Sequence, residues 1–203
     1  MKLNLFAGIF LLLSSTVQAG SESFDIDPIH TRIAFTVSHA GFSNPIGTFS
    51  GTTGQLQFDE KDWSQSRISV SIPVGSLNLG DANWQKKILD GTFFDAGKFP
   101  VATFVSSSIE KLSDNKGLAH GTLQIHGTSQ EVDITFSLNA LKRHPLSFKR
   151  TIGFSGTATL SRKAFGMNAW SNLIGDEIKI IIELEATHGK PEYSQEQENG
   201  DKK

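Results

Sequence analysis

HTRIAFTVSH, residues 30–39, sets Ile33, Phe35, Val37 and His39 on one face of an extended chain and Ala34, Thr36 and Ser38 on the other. Alternation of this kind marks a half-buried strand, because successive side chains of extended backbone point to opposite faces. The same period runs through most of the sequence. Leu56 pairs with Phe58, and Ile68, Val70, Ile72 and Val74 share a face, as do Ala119, Gly121, Leu123 and Ile125. Further runs align Val132, Ile134, Phe136 and Leu138, then Ile152, Phe154, Gly156, Ala158 and Leu160, and the last covers Ile178 to Leu184. Turn formers such as SDNKG (113–117) and IHGTS (125–129) separate them as hairpin connections.

One segment breaks the pattern. DANWQKKILDG (81–91) is rich in helix formers, with Asp81 placed to cap the N-terminus, Trp84, Ile88 and Leu89 spaced three to four apart or adjacent, and Gly91 as a stop. It predicts a single short helix, after which FFDAGKFP (93–100) leads into a strand from Val101 to Val105. Many strands joined by short turns predict an all-β fold, an antiparallel meander closed into a barrel that leaves no exposed edges; a sandwich is the alternative. A barrel of about eight strands is either filled by side chains or encloses a small ligand. Inward faces that mix Phe and Ile with Gly and Ala suit both.

The ends of the chain read differently. Lys2, the apolar run Leu3–Leu13 and the small, polar SSTVQAG have the make-up of a secretory signal, with cleavage expected after Ala19. The run is shorter than the roughly 20 residues a membrane-spanning helix needs, so no stable membrane anchor is expected. This gives a signal peptide at 1–19, a barrel domain at 20–188 and a polar, disordered tail at 189–203. The chain holds no cysteine, so its stability rests on an ordinary apolar core. Its 19 basic and 21 acidic residues nearly balance and form no basic cluster, which argues against a nucleic-acid partner.

Three motifs carry a resemblance to a known family: FDIDPIHTRIAFTVSH (24–39), VGSLNLGDANWQKKILDGTFFDAGKFPVATF (74–104) and LSRKAFGMNAWSNLIGDEIKIIIELEA (160–186). Together, in this order, the chain resembles the YceI-like lipid- or polyisoprenoid-binding proteins of bacterial periplasms. The resemblance implies a lipocalin-like eight-stranded antiparallel β-barrel with one short helix, enclosing a long isoprenoid or fatty-acyl lipid, and a periplasmic location. Asp27, His30 and His39 fall on the opening motif, Phe94, Asp95 and Pro100 on the central one, and Arg162, Phe165 and Gly166 on the last. Thr92 and Ala164 depart from it, standing where many relatives carry acidic residues.

A hydrocarbon tunnel requires mainly apolar walls. Candidates for its lining are Phe35, Val37, Phe42, Ile72, Trp84, Phe104, Phe136, Phe154, Phe165 and Trp170, each of which also reads as plain core. His39, at the end of an apolar row, is a candidate donor to a lipid head group, or a histidine satisfied by a backbone carbonyl. Arg162 has the fork for a phosphate, or caps the outside of the barrel. Asp27 and His30, three apart in a turn-like DPIH, suit a local hydrogen bond. The helix around Trp84 is a candidate lid.

No catalytic or metal motif stands out. His120 and His126, about 20 Å apart along an extended strand, cannot share a metal. GFSGT (153–157) departs from G-x-S-x-G at Thr157 and sits in a strand. No phosphate-binding glycine loop is present. The reading is therefore a carrier protein without cofactor or catalysis. The alternatives are a lipid-modifying enzyme using His39 or His30 with Asp27 or Asp95, and a filled barrel that serves as an envelope interaction protein. Association as a homodimer is left open.

Overall fold

The computed structural model describes residues 20–189; the expected signal peptide, and the expected tail beyond Gly189, lie outside the described residues. Ten strands form one antiparallel sheet: β1 (Glu22–Ile26), β2 (Arg32–His39), β3 (Ile46–Phe49), β4 (Thr53–Phe58), β5 (Arg67–Pro73), β6 (Val101–Lys111), β7 (Lys116–Ile125), β8 (Thr128–Arg143), β9 (Arg150–Ser161) and β10 (Ile174–Thr187). They occupy eight positions in a closed ring. β1 and β2 are two halves of one interrupted strand, because both pair with β10: Asp25 opposite Thr187, and Phe35 opposite Ile180. β3 and β4 likewise share a position, against β2 and β1 respectively. The β1–β10 pairing closes the barrel and satisfies edges that would otherwise be exposed.

The first interruption has a local cause. Asp27 Oδ1 accepts the backbone N–H of Ile29 (2.8 Å) and His30 (3.1 Å), folding DPIH into a side-chain-locked turn. The β7–β8 hairpin turns through His126 and Gly127, both in the left-handed region at φ 53° and 74°, as a tight two-residue hairpin requires. The helix α1 (Ala82–Leu89) is capped as its sequence predicts: Asp81 Oδ1 accepts the Trp84 N–H at 2.8 Å. Its end differs from expectation. The stop is Asp90, in extended backbone, whose carboxylate accepts the Thr92 N–H, and Gly91 is not needed in a left-handed conformation.

The alternating apolar side chains meet inside the ring. Phe24, Leu56, Phe104, Leu123, Val132, Phe136, Ile152 and Leu184 are buried there, each contributing about 1.5–3 kcal/mol through removal from water. Some glycines exist to receive a neighbouring ring. A side chain at Gly121 would collide with Phe104 and with the Val105 carbonyl, each 2.5 Å from its Cβ. Gly117 lies under the Phe136 ring in the same way. Gly156 and Ala158 line a space that the rings leave open.

Candidate functional site

That space is a cavity of about 380 Å³ along the barrel interior, within the range of small-molecule sites. One end is closed by aromatic rings. A short 3-10 turn (Trp63–Gln65), capped by Asp62, lays the Trp63 indole across the barrel floor. Trp63 stacks on Phe136 at 5.6 Å between centroids and 19° between planes, while Phe58 and Phe154 pack on the same cluster at 5.5–5.8 Å. Trp63 was not among the sequence-derived candidates; a lone Trp between two strands carries no periodic signal.

At the other end the lining reaches the surface through His39, Pro45, Trp84, Lys87, Trp170 and Leu173. This mouth is built from the β2–β3 turn, α1 and the loop that precedes β10. Trp170 packs edge-on to Phe93 at 5.7 Å, and the Lys87 ammonium lies 5.9 Å from the Trp170 ring centre, tying α1 to that loop. The same ammonium is 2.8 Å from the Asp90 carboxylate and, by that hydrogen bond, holds its pKa down at about 2.

The structure brings eleven of the twelve sequence-derived site residues, the ten lining candidates with His39 and Arg162, to the wall. Phe104, Phe136 and Phe154 lie in its deeper part, Phe35, Val37 and Ile72 along the sides, and His39, Trp84, Arg162, Phe165 and Trp170 toward the mouth. Phe42 is the correction. It sits at the tip of the β2–β3 turn, 91% exposed, and does not line the cavity. The reason is the left-handed turn at Ala40 (φ 51°) and Gly41 (φ 75°), which ends the alternation that His39 completes. Phe49, Leu79 and Phe94 line the wall without having been among the candidates.

Arg162 takes neither of its expected roles. It is 4% exposed and binds backbone carbonyls: Nε donates to Gly175 (2.8 Å), Nη1 to Ala169 (2.9 Å) and Met167, and Nη2 to Ile174 (2.8 Å). Burial pushes its pKa down, opposed by the nearby Asp176, and the guanidinium stays cationic. With four of its five N–H groups committed, it clamps the loop that frames the mouth.

The acid–base alternative divides between two places. His30 does meet Asp27, Nδ1 to Oδ2 at 2.8 Å, but it is exposed on the outer side of the wall. His39 lies at the mouth, separated from that pair by the length of β2, roughly 20 Å or more at ~3.3 Å per residue. Asp27, His30 and Glu185 also bring ligand-type atoms within 4.8 Å of one another. Both Asp27 oxygens are already engaged there, by two backbone N–H groups and the His30 ring, so the trio reads as a turn lock. Away from His39 and Lys87 at the mouth, the wall offers mainly apolar contact, and Thr52 contributes a hydroxyl buried in the wall with no hydrogen-bond partner. Among the described residues, no helix is long and apolar enough to cross a membrane.

The fold and the site together define a class, the closed antiparallel barrels with an apolar interior cavity. The chain belongs to the YceI-like family: the model of the YceI-like domain matches residues 24–186. It is 30% identical to Protein YceI of Salmonella agona over 94% of this chain and all of that protein, and 33% identical to a UPF0312 protein of Vibrio parahaemolyticus over 90% and 98%. Among solved structures it resembles BcnA of Burkholderia cenocepacia, with a TM-score of 0.71 and 25% identity over 79% of this chain and 98% of that one. A polyisoprenoid-binding domain from Saccharophagus degradans shares the fold at a TM-score of 0.61 and 15% identity, over 81% and 98% of the two chains.

Proposed function

We propose that this protein is a carrier that holds a long-chain hydrophobic lipid, of polyisoprenoid or fatty-acyl type, in the barrel interior, and that it catalyses nothing. The observation that carries the reading is the cavity, walled by apolar side chains from the Phe136 floor to the Trp170 mouth. A chain enclosed there gains about 0.8 kcal/mol for each methylene removed from water, before the costs of ordering and association. The description of the Saccharophagus degradans domain as polyisoprenoid-binding supports the ligand class.

A head group would rest at the mouth, where His39 can donate a hydrogen bond, while Arg162 serves by holding the surrounding loop. The α1 helix, which has no fully buried residue, is the part that would move to admit cargo. The proposed setting is the periplasm, reached by a signal peptide at 1–19, with the polar segment after 189 as a tail.

Native mass spectrometry of protein recovered from the exported fraction without detergent tests this. A stoichiometric adduct that organic extraction releases as a long-chain lipid is the expected result. A bare polypeptide mass that stays bare after addition of isoprenoids and fatty acids would move the filled-barrel reading forward.

A further inference from the structure

The two ends of the cavity are built differently, and the closed end is the stiffer. Trp63 is carried by the β4–β5 connection, where Asp59 Oδ1 accepts the N–H groups of Lys61 (2.9 Å) and Asp62 (3.0 Å). The Asp59 N–H donates to the buried Ser66 hydroxyl at 3.0 Å, and the Ser66 N–H donates to the Trp63 carbonyl at 2.9 Å. The Lys111 ammonium stands 5.3 Å from the centre of the Trp63 ring. Phe136 lines the cavity in front of that indole, and its ring tip is seated over Gly117, where a Cβ would lie 2.4 Å from the Phe136 Cζ. A chain end arriving from the lumen therefore meets a ring backed by another ring and by backbone, packed at interior density. The mouth has no such backing: α1, on its rim, contains no fully buried residue.

Strand length sets the distance between these ends. β10 lines the cavity from Ile174, opposite His39 at the mouth, to Leu184, opposite Phe154 at the floor. At ~3.3 Å per residue and a strand tilt of roughly 35–45°, that run descends about 20–25 Å. A hydrocarbon zigzag of ~1.5 Å bonds advances about 1.25 Å per carbon, so about 16–20 linear carbons reach from the mouth to the rings. Apolar walls do not distinguish one methylene from the next. Each that enters raises affinity about fourfold, and each that is stopped outside adds nothing.

We infer that the aromatic floor, with Phe136 as the stop, is a ruler: the barrel encloses about 16–20 linear carbons, or about four to five isoprene units, and leaves the remainder of a longer chain outside the mouth. This rests on the carrier reading and gives it a length. The test is displacement of a pyrene-labelled fatty acid from the purified protein by graded series of saturated fatty acids and of linear prenols, delivered as monomers from cyclodextrin, with lengths that span the barrel and run well beyond it. Affinity should climb about fourfold per methylene and level off near about 16–20 carbons. Phe136→Leu should move that break to chains about two carbons longer, and Phe154→Leu should do so from the neighbouring strand. Ala119→Leu should move it about two carbons shorter, because Ala119 lines the cavity one inward position along β7 from the Gly117 that seats Phe136. Circular dichroism identifies the variants that keep the barrel.

Affinity that climbs without a break to the longest chains would overturn the ruler and leave the carrier reading standing. So would a break that stays in place in the folded variants. If neither the probe nor any member of either series binds the wild type, the carrier reading falls and the ruler falls with it.

Discussion

The Trp63 indole lies stacked on the Phe136 ring, 5.6 Å between centroids, and this contact closes one end of the barrel. Trp63 is 3% exposed and reaches its place from a turn outside the strands. Removing it should open the floor and leave a void against Phe58, Phe136 and Phe154. Trp63→Ala is expected to cost about 3–5 kcal/mol in urea unfolding, the range for deletion of a buried large aromatic. A loss below about 1 kcal/mol would mean that the floor is not held this way.

Thr52 gives a prediction of the opposite sign. Its hydroxyl is buried without a partner in the wall between β3 and β4. An unsatisfied buried polar group costs about 1–3 kcal/mol, and an apolar side chain of the same shape removes that cost. Thr52→Val should therefore raise the urea midpoint of ligand-free protein. A lowered midpoint would show that the hydroxyl has a partner after all.

Arg162 is expected to resist conservative replacement. A lysine ammonium cannot reproduce a planar fork directed at the carbonyls of Met167, Ala169, Ile174 and Gly175. Each carbonyl left buried and unpaired costs about 1–3 kcal/mol. Arg162→Lys should destabilise the protein by about 3 kcal/mol or more and speed amide exchange across 167–175. Exchange unchanged from wild type would remove the clamp from the account.

The Asp27–His30 pair makes stability depend on pH. The hydrogen bond that the His30 ring donates to the Asp27 carboxylate raises the His30 pKa against the effect of partial burial, with Glu185 raising it further and Arg32 lowering it. Stabilisation from a raised pKa is complete below the unfolded value of about 6.5 and is lost as pH rises through the higher folded value. The ring is 61% exposed, so solvent screening keeps the effect small, under about 1 kcal/mol. His120 is raised in the same way by Asp133 at 2.6 Å. His30→Gln should thus flatten part of the decline in unfolding free energy above about pH 6.5, and His120→Gln a further part. An unaltered slope in the double variant would contradict the assignment.

Much of this was legible in the sequence, and the places where it was not have physical causes. Period two found most of the strands and their inward faces, though not the short β1 and β3, and the Asp81 cap found the helix, because both signals are local. That β1 and β2 share one barrel position depends on their common partner β10, a relation more than 130 residues distant in the chain that no local pattern carries. Phe42 was misplaced because it was taken as lining on its apolar character, while the left-handed turn at Ala40 and Gly41 carries it to an exposed tip. Arg162 showed its charge but not the four carbonyls that fold around it, and Trp63 gave no period at all. Family resemblance supplied the eight-position barrel that alternation alone could not separate from a sandwich.

The most direct test of the central claim fills the cavity without touching the mouth. Ala158 faces the lumen on β9, and Ala158→Trp would occupy the space proposed for the lipid. Binding of a pyrene-labelled long-chain fatty acid and of a labelled polyisoprenoid would be titrated in both proteins, with circular dichroism to confirm the β-sheet. Saturable binding of a probe by the wild type, lost in a folded Ala158→Trp variant, is the predicted result. Equal binding by both would place the lipid outside the barrel and contradict the account.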